Sequence, residues 1–141
     1  MSGARETNRR TQSAIDEVLA KARAGLNRVP APEVARLPDD HLLVDIRPLH
    51  NRVADGEIPG AVPIERIVLE WRLDPRGDHR IDGFGEDTMV VVFCNEGWAS
   101  SLAARDLQAL GLRNATDLVG GFRSYREAGL PVREGGTQAV T

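Results

Sequence analysis

The stretch Met89-Val90-Val91-Val92-Phe93-Cys94-Asn95-Glu96-Gly97-Trp98-Ala99-Ser100 decides the fold. Its first five residues form an apolar run with a β-branched centre, the pattern of a strand covered on both faces in a parallel sheet. The run stops at Cys94, the only cysteine of the chain. A short loop with one glycine follows, and the amphipathic run from Ser101 to Leu110 reads as a helix. This order sets Cys94 at the carboxyl end of a central strand, facing the amino end of a helix. In open α/β sheets that crevice is where ligands bind.

The position favours a thiolate. Successive backbone N–H groups in a tight strand-to-helix loop converge into an anion-binding nest, and the first turn of the helix adds unpaired N–H groups and partial positive charge. Helix N-termini promote ionisation of cysteine, and the same nest suits an anionic substrate. The alternative is a buried structural cysteine, since free Cys is among the most buried residue types.

The rest of the chain bounds the setting. Its 141 residues suit one domain with a proper core, and 41% hydrophobic and 28% charged residues are ordinary for a globular protein. A net charge of −3 argues against nucleic acid or an anionic membrane as partner. One cysteine makes no intramolecular disulfide, CxxC centre or Cys-based zinc site, and His41, His50 and His79 lack metal-ligand spacing. No metal and no cofactor is expected. Without an apolar leader after the polar first residues, or a run near the ~20 residues that span a bilayer, the chain reads as cytoplasmic.

Working outward, residues 1–10 read as a disordered lead-in. Ile15, Val18, Leu19, Ala22 and Leu26 recur with helical spacing, after Ser13 and Asp16 in a capping pattern, and Gly25 ends the helix. This amphipathic helix either packs on the domain or docks a partner. Residues 27–29 suit a short edge strand stopped by Pro30, and residues 32–37 a short helix. His41 to Arg47 is a second buried strand, residues 61–64 a third and residues 115–119 a fifth, with Met89–Phe93 between them. Helices are expected over about 48–54, 65–73, 99–110 and 122–128, the fourth-strand helix buried along Ala99, Leu102, Ala103, Leu107 and Leu110. Residues 74–87 form a long polar loop whose arginines are solvated. Trp71 and Phe93 read as core. Strands alternating with helices predict a single α/β domain, with a five-stranded, mainly parallel sheet and helices on both faces.

Three motifs flank the cysteine in order. Leu42-Leu43-Val44-Asp45-Ile46-Arg47 resembles the Asp-Val-Arg strand of the single-domain rhodaneses, a family of sulfurtransferases. Gly56-Glu57-Ile58-Pro59-Gly60-Ala61 resembles their Gly-His-Ile-Pro-Gly-Ala segment. Gly120-Gly121-Phe122 with Gly129-Leu130-Pro131-Val132 resembles their closing Gly-Gly-Trp…Gly-Leu-Pro-Val. The resemblance runs from Val29 to Val132. It implies a rhodanese-like domain over 27–133; the residues before it read as an N-terminal extension over 1–26, and the small polar residues after it as a disordered tail over 134–141.

The resemblance also implies a reaction. Cys94 would take a sulfane sulfur from a small-molecule donor such as thiosulfate, hold it as a persulfide, and pass it to cyanide, a thiol or a protein sulfur acceptor. The backbone N–H groups of Asn95, Glu96, Gly97, Trp98 and Ala99 would cradle the charge. Asp45 and Arg47 would brace the loop and meet the donor anion, or else only pin strand to helix. Trp98 would shape the pocket mouth, or pack on the surface. Three positions depart from the pattern. Ala99 stands where many members carry Arg, Glu57 where they carry His, and Glu96 adds a carboxylate to the loop. Pointing inward, Glu96 would repel thiosulfate; exposed and screened, it would matter little. A cysteine phosphatase would need Cys-x5-Arg, and the sixth residue after Cys94 is Ser100. A non-catalytic rhodanese-like binding module is the alternative from another class.

Overall fold

The computed structural model describes residues 12–141, so the lead-in expected over 1–10 lies outside the described residues. The regular elements are α1 (Ala14–Ala24), β1 (His41–Asp45), α2 (Leu49–Asp55), β2 (Val62–Pro63), α3 (Leu69–Arg72), β3 (Met89–Phe93), α4 (Ala99–Ala109), β4 (Thr116–Asp117) and α5 (Gly121–Glu127), with 3₁₀ turns at Ala31–Arg36 and Arg66–Val68. The four strands are parallel in the order β2-β1-β3-β4. β3 lies inside this sheet, paired with β1 along its whole length from His41–Met89 to Asp45–Phe93.

Among the described residues the sheet has four strands, not five. The expected edge strand at residues 27–29 is reduced to one parallel bridge, Val29 with Leu118. Val29 N–H donates to Asp117 O and its carbonyl accepts from Val119 N–H. The next donor towards β4 would be Ala31 N–H, but the chain enters the 3₁₀ turn at Ala31 straight after Pro30, so no further rung forms.

Alternation along β3 sorts the core into two layers. Val90 and Val92 face Leu69, Leu73, Ala103 and Leu107, whereas Val91 and Phe93 face Ile58, Leu118, Phe122 and Tyr125. Both faces of the central strand are therefore dry, which explains its unbroken apolar run. Cys94 continues the even-numbered side and packs against the layer that α4 covers.

Four local expectations change. In α4, Ser100 and Ser101 are fully buried while Ala99 is exposed and Leu102 and Leu110 only half-buried, because Asp117 at the end of β4 draws the two hydroxyls inward. Trp71 is 62% exposed rather than core; Phe93 is buried as expected. Arg80, expected to be solvated, stacks on Phe84 and donates to Pro75 O and Phe84 O, tying down the loop over 74–87. The stretch 134–141 does not lie free as a disordered tail would. Thr137 and Gly136 donate to Glu57, and Val140 bridges to Ile64.

Candidate active site

Three side chains stand at the carboxyl ends of neighbouring strands: Asp45 ending β1, Cys94 just after β3 and Asp117 ending β4. Half-buried Cys94 lines a cavity of about 420 Å³ together with Ile46, Arg47, Pro48, Arg66, Asn95, Glu96, Trp98 and Ala99. Trp98 is 63% exposed at the rim.

The loop from Cys94 to Trp98 is held from several sides. Gly97 N–H donates to Cys94 Sγ at 3.2 Å; of the five expected amides, this is the one hydrogen-bonded to sulfur among the described residues. Phe122 N–H donates to Cys94 O at 2.8 Å and Arg123 N–H to Asn95 O at 3.0 Å. This docking explains the double glycine. A Cβ on Gly121 would lie 2.6 Å from Cys94 O and 2.7 Å from Gly97 N, and Gly121 has φ +62°. Gly97, at φ +84°, has the same constraint from the other side, its Cβ position being 2.8 Å from Gly120 N. The two segments approach as backbone against backbone.

Behind the loop lies a buried polar chain. The Cys94 thiol donates to Ser100 Oγ at 3.4 Å, and Ser100 Oγ–H donates to Asp117 Oδ2 at 2.8 Å. Ser101 Oγ–H donates to the same oxygen at 2.7 Å, and Arg28 closes a two-pronged pair on the carboxylate at 2.8 and 3.1 Å. Arg28 Nη2 also reaches Gly97 O at 3.1 Å, and Arg23 Nη2 donates to that carbonyl at 2.8 Å. None of Ser100, Ser101, Asp117, Arg23 and Arg28 stands out from sequence. The one available signal is that Asp117, like Asp45, ends a strand on the cysteine's side of the sheet.

Asp45 and Arg47 form a buried pair beside the loop, and Arg47 also lines the Cys94 cavity. Arg47 is fully buried, paired with Asp45 at 2.7 and 3.0 Å, and donates to Gly56 O at 2.8 Å. Its guanidinium carbon stacks 3.8 Å above the Phe122 ring, and Nη1 has no hydrogen-bond partner among the described residues. Glu96 is held at the surface by Arg123 at 3.0 Å. Such an exposed pair is screened. Glu57, in place of the family's histidine, is buried against Arg52, Arg133 and Thr137 and does not line the Cys94 cavity. Burial pushes its carboxyl up, but the Thr137 hydroxyl, the Arg52 guanidinium and the amides of Thr137 and Gly136 outweigh that and hold it at about 2.

Among the described residues no group of three or more His, Cys, Asp or Glu side chains could hold a metal ion, and no helix is long and apolar enough to cross a membrane.

The Rhodanese-like domain family matches residues 30–128. The chain belongs to the rhodanese-like domain family. It is 32% identical over 125 residues to the maize (Zea mays) adenylyltransferase and sulfurtransferase MOCS3-2, covering 82% of this chain and 25% of that protein. It is likewise 32% identical over 98 residues to the tRNA sulfurtransferase of Desulfurococcus amylolyticus, covering 70% of this chain and 17% of that one. The chain thus spans a quarter or less of these curated relatives. Among solved structures it resembles RPA3614 of Rhodopseudomonas palustris, described as a protein of unknown function and possible tyrosine phosphatase, with TM-score 0.77, 31% identity, and 86% of this chain and 95% of that one covered. The rhodanese-like match supports sulfur transfer at the level of the family.

Proposed function

We propose that this protein is a sulfurtransferase that carries sulfane sulfur on Cys94. The observation that carries the reading is Sγ at the carboxyl end of β3, open to a cavity and receiving the Gly97 amide from a loop fixed by α5. The Cys94 thiolate attacks the outer sulfur of thiosulfate; the S–S bond breaks and sulfite leaves with its electron pair. The product is a Cys94 persulfide anion. Cyanide then takes the outer sulfur as thiocyanate, or a thiol takes it as a new persulfide, and the thiolate returns. Loop amides supply fixed dipoles where the negative charge sits, at no reorganisation at the moment of reaction. Ala99 leaves the cavity without a loop guanidinium, which suits donors other than thiosulfate equally well, a protein persulfide among them. The names of the relatives support sulfur transfer as the activity. A thiol with this task needs a compartment that keeps it reduced, such as the cytoplasm.

A phosphate-transfer reading lacks its clamp: Ser100 occupies the place of the arginine, and its hydroxyl is given to Asp117. The test is intact-protein mass spectrometry after incubation with thiosulfate, mercaptopyruvate or a protein persulfide donor. We expect one added sulfur atom, lost on cyanide treatment with release of thiocyanate, and no adduct in Cys94→Ser. No adduct from any donor would leave the rhodanese-like domain as a binding module.

A further inference from the structure

Arg23 and Arg28 lie ahead of residue 30, where the family match begins, yet both grip the Cys94 loop. Arg23 Nη2 donates to Gly97 O at 2.8 Å, and its Nε donates to Ser101 Oγ at 3.0 Å. We propose that α1 is a clasp for the sulfur-carrying loop, with Arg23 as its positioning residue. The proposal rests on Cys94 being the sulfur carrier.

Gly97 shows why a clasp is needed. Its N–H is the group aimed at Sγ, and glycine has the widest backbone freedom of any residue. Gly120 and Gly121 close one side of it by contact. Its carbonyl points the other way and meets two guanidinia, one from α1 and one from the segment after it. Charge-assisted hydrogen bonds are about twice as strong as neutral ones. Fixing the carbonyl fixes the dihedral angles of Gly97, and with them the direction of its N–H.

The two arginines are not equivalent. Arg28 spends its charge on the Asp117 carboxylate. Arg23 has two neutral partners among the described residues, a carbonyl and a hydroxyl, so its positive charge remains available to the loop.

The helix is built to deliver this side chain. Ser13 caps its start by accepting from Asp16 N–H at 3.2 Å. Ala22 and Leu26 are buried around its end, and Gln108 of α4 donates to Gly25 O at 2.9 Å. Arg23 lies in the anchored last turn, while Ile15 and Val18 in the first turns stay exposed.

The test compares the wild-type chain with Arg23→Ala and Arg23→Lys. It measures the maximal rate of persulfide formation and the half-saturating donor concentration, with thiosulfate and with mercaptopyruvate. Iodoacetamide alkylation of Cys94 is followed alongside. We expect Arg23→Ala to lower the maximal rate about tenfold with little change in half-saturation, the mark of a misplaced group rather than a lost donor contact. Lysine keeps the charge without the planar fork and should recover part of the rate. A wild-type maximal rate in Arg23→Ala overturns the proposal. So does a rise in half-saturation alone, which would make Arg23 a donor-binding residue. If Arg23→Ala does not fold, Arg23→Lys decides, with a lowered maximal rate for the clasp and a wild-type rate against it. If the wild type takes sulfur from no donor, sulfur transfer falls, and alkylation judges the clasp alone. A change of roughly threefold or more in Arg23→Ala upholds it, and an unchanged rate overturns it.

Discussion

Asp117 and Glu57 are both buried carboxylates paired with arginine, yet they are wired to different parts of the molecule. The donors to Asp117 are Ser100, Ser101 and Arg28, and each also touches Cys94 or Gly97. The donors to Glu57 are Arg52 and three residues of the terminal stretch, Arg133, Gly136 and Thr137, none of which lines the Cys94 cavity. The same chemistry thus steadies a reactive loop at one place and fastens the end of the chain at the other. Stability and activity should respond together at Asp117 and separately at Glu57.

The most severe break is Asp117→Ala. It takes the counter-charge from the Arg28 guanidinium and the shared carboxylate acceptor from two buried serine hydroxyls. Removing one partner of a buried pair destabilises by about 3–5 kcal/mol. Urea unfolding should show a loss of that order, and the folded fraction should form persulfide more slowly. If the folded fraction loads sulfur at the wild-type rate, Asp117 fastens β4 and nothing more.

The two hubs also mark how far the sequence can be read. β3, the place of Cys94 and the succession of parallel strands follow from a local apolar pattern and short loops, so they are legible. The glycines at 120 and 121 are legible as a turn, although their contact with Cys94 and Gly97 is not, because it joins segments about twenty-five residues apart. Asp117, Ser100 and Arg23 are ordinary residues until the fold brings them together. Hydrogen bonding between distant charged groups has no periodicity to betray it. The terminal stretch misleads for a similar reason. Small polar residues suggest fraying, but Glu57 supplies the acceptor that Gly136 and Thr137 need, and it is nearly eighty residues away.

At the second hub, Glu57→Gln leaves Arg52 buried without its counter-charge. We expect a loss of about 3 kcal/mol in urea unfolding, with the rate of persulfide formation per folded molecule unchanged. Acid should reproduce the effect in the wild type. Glu57 is held at about 2 against an ordinary 4.5, so its contribution is present in full above pH 4.5 and is lost as the pH falls towards 2. The shift corresponds to about 3 kcal/mol. Stability of Glu57→Gln should therefore vary less with pH than that of the wild type between pH 4.5 and 2. Parallel pH curves would mean that other carboxylates govern acid unfolding, and a slowed reaction in folded Glu57→Gln would erase the contrast between the hubs.

The mildest change tests the link itself. Ser100→Ala removes the single hydroxyl that lies between Sγ and Asp117, while Ser101 and Arg28 continue to satisfy the carboxylate. The stability loss should be only about 1 kcal/mol, because no buried charge is left unpaired. Ser100 has one proton to give. In the thiol state that proton goes to Asp117 and Sγ donates to the oxygen; in the thiolate state Sγ has no proton, and the hydroxyl must turn towards it to be of use. Asp117 can release it, since Oδ2 accepts from Ser101 and Arg28 as well. Persulfide formation in Ser100→Ala should then slow several-fold at nearly full stability, whereas Ser100→Thr, which keeps the hydroxyl, should stay near wild type. Equal rates in all three proteins would show that the Asp117 hub reaches the loop through Gly97 O alone.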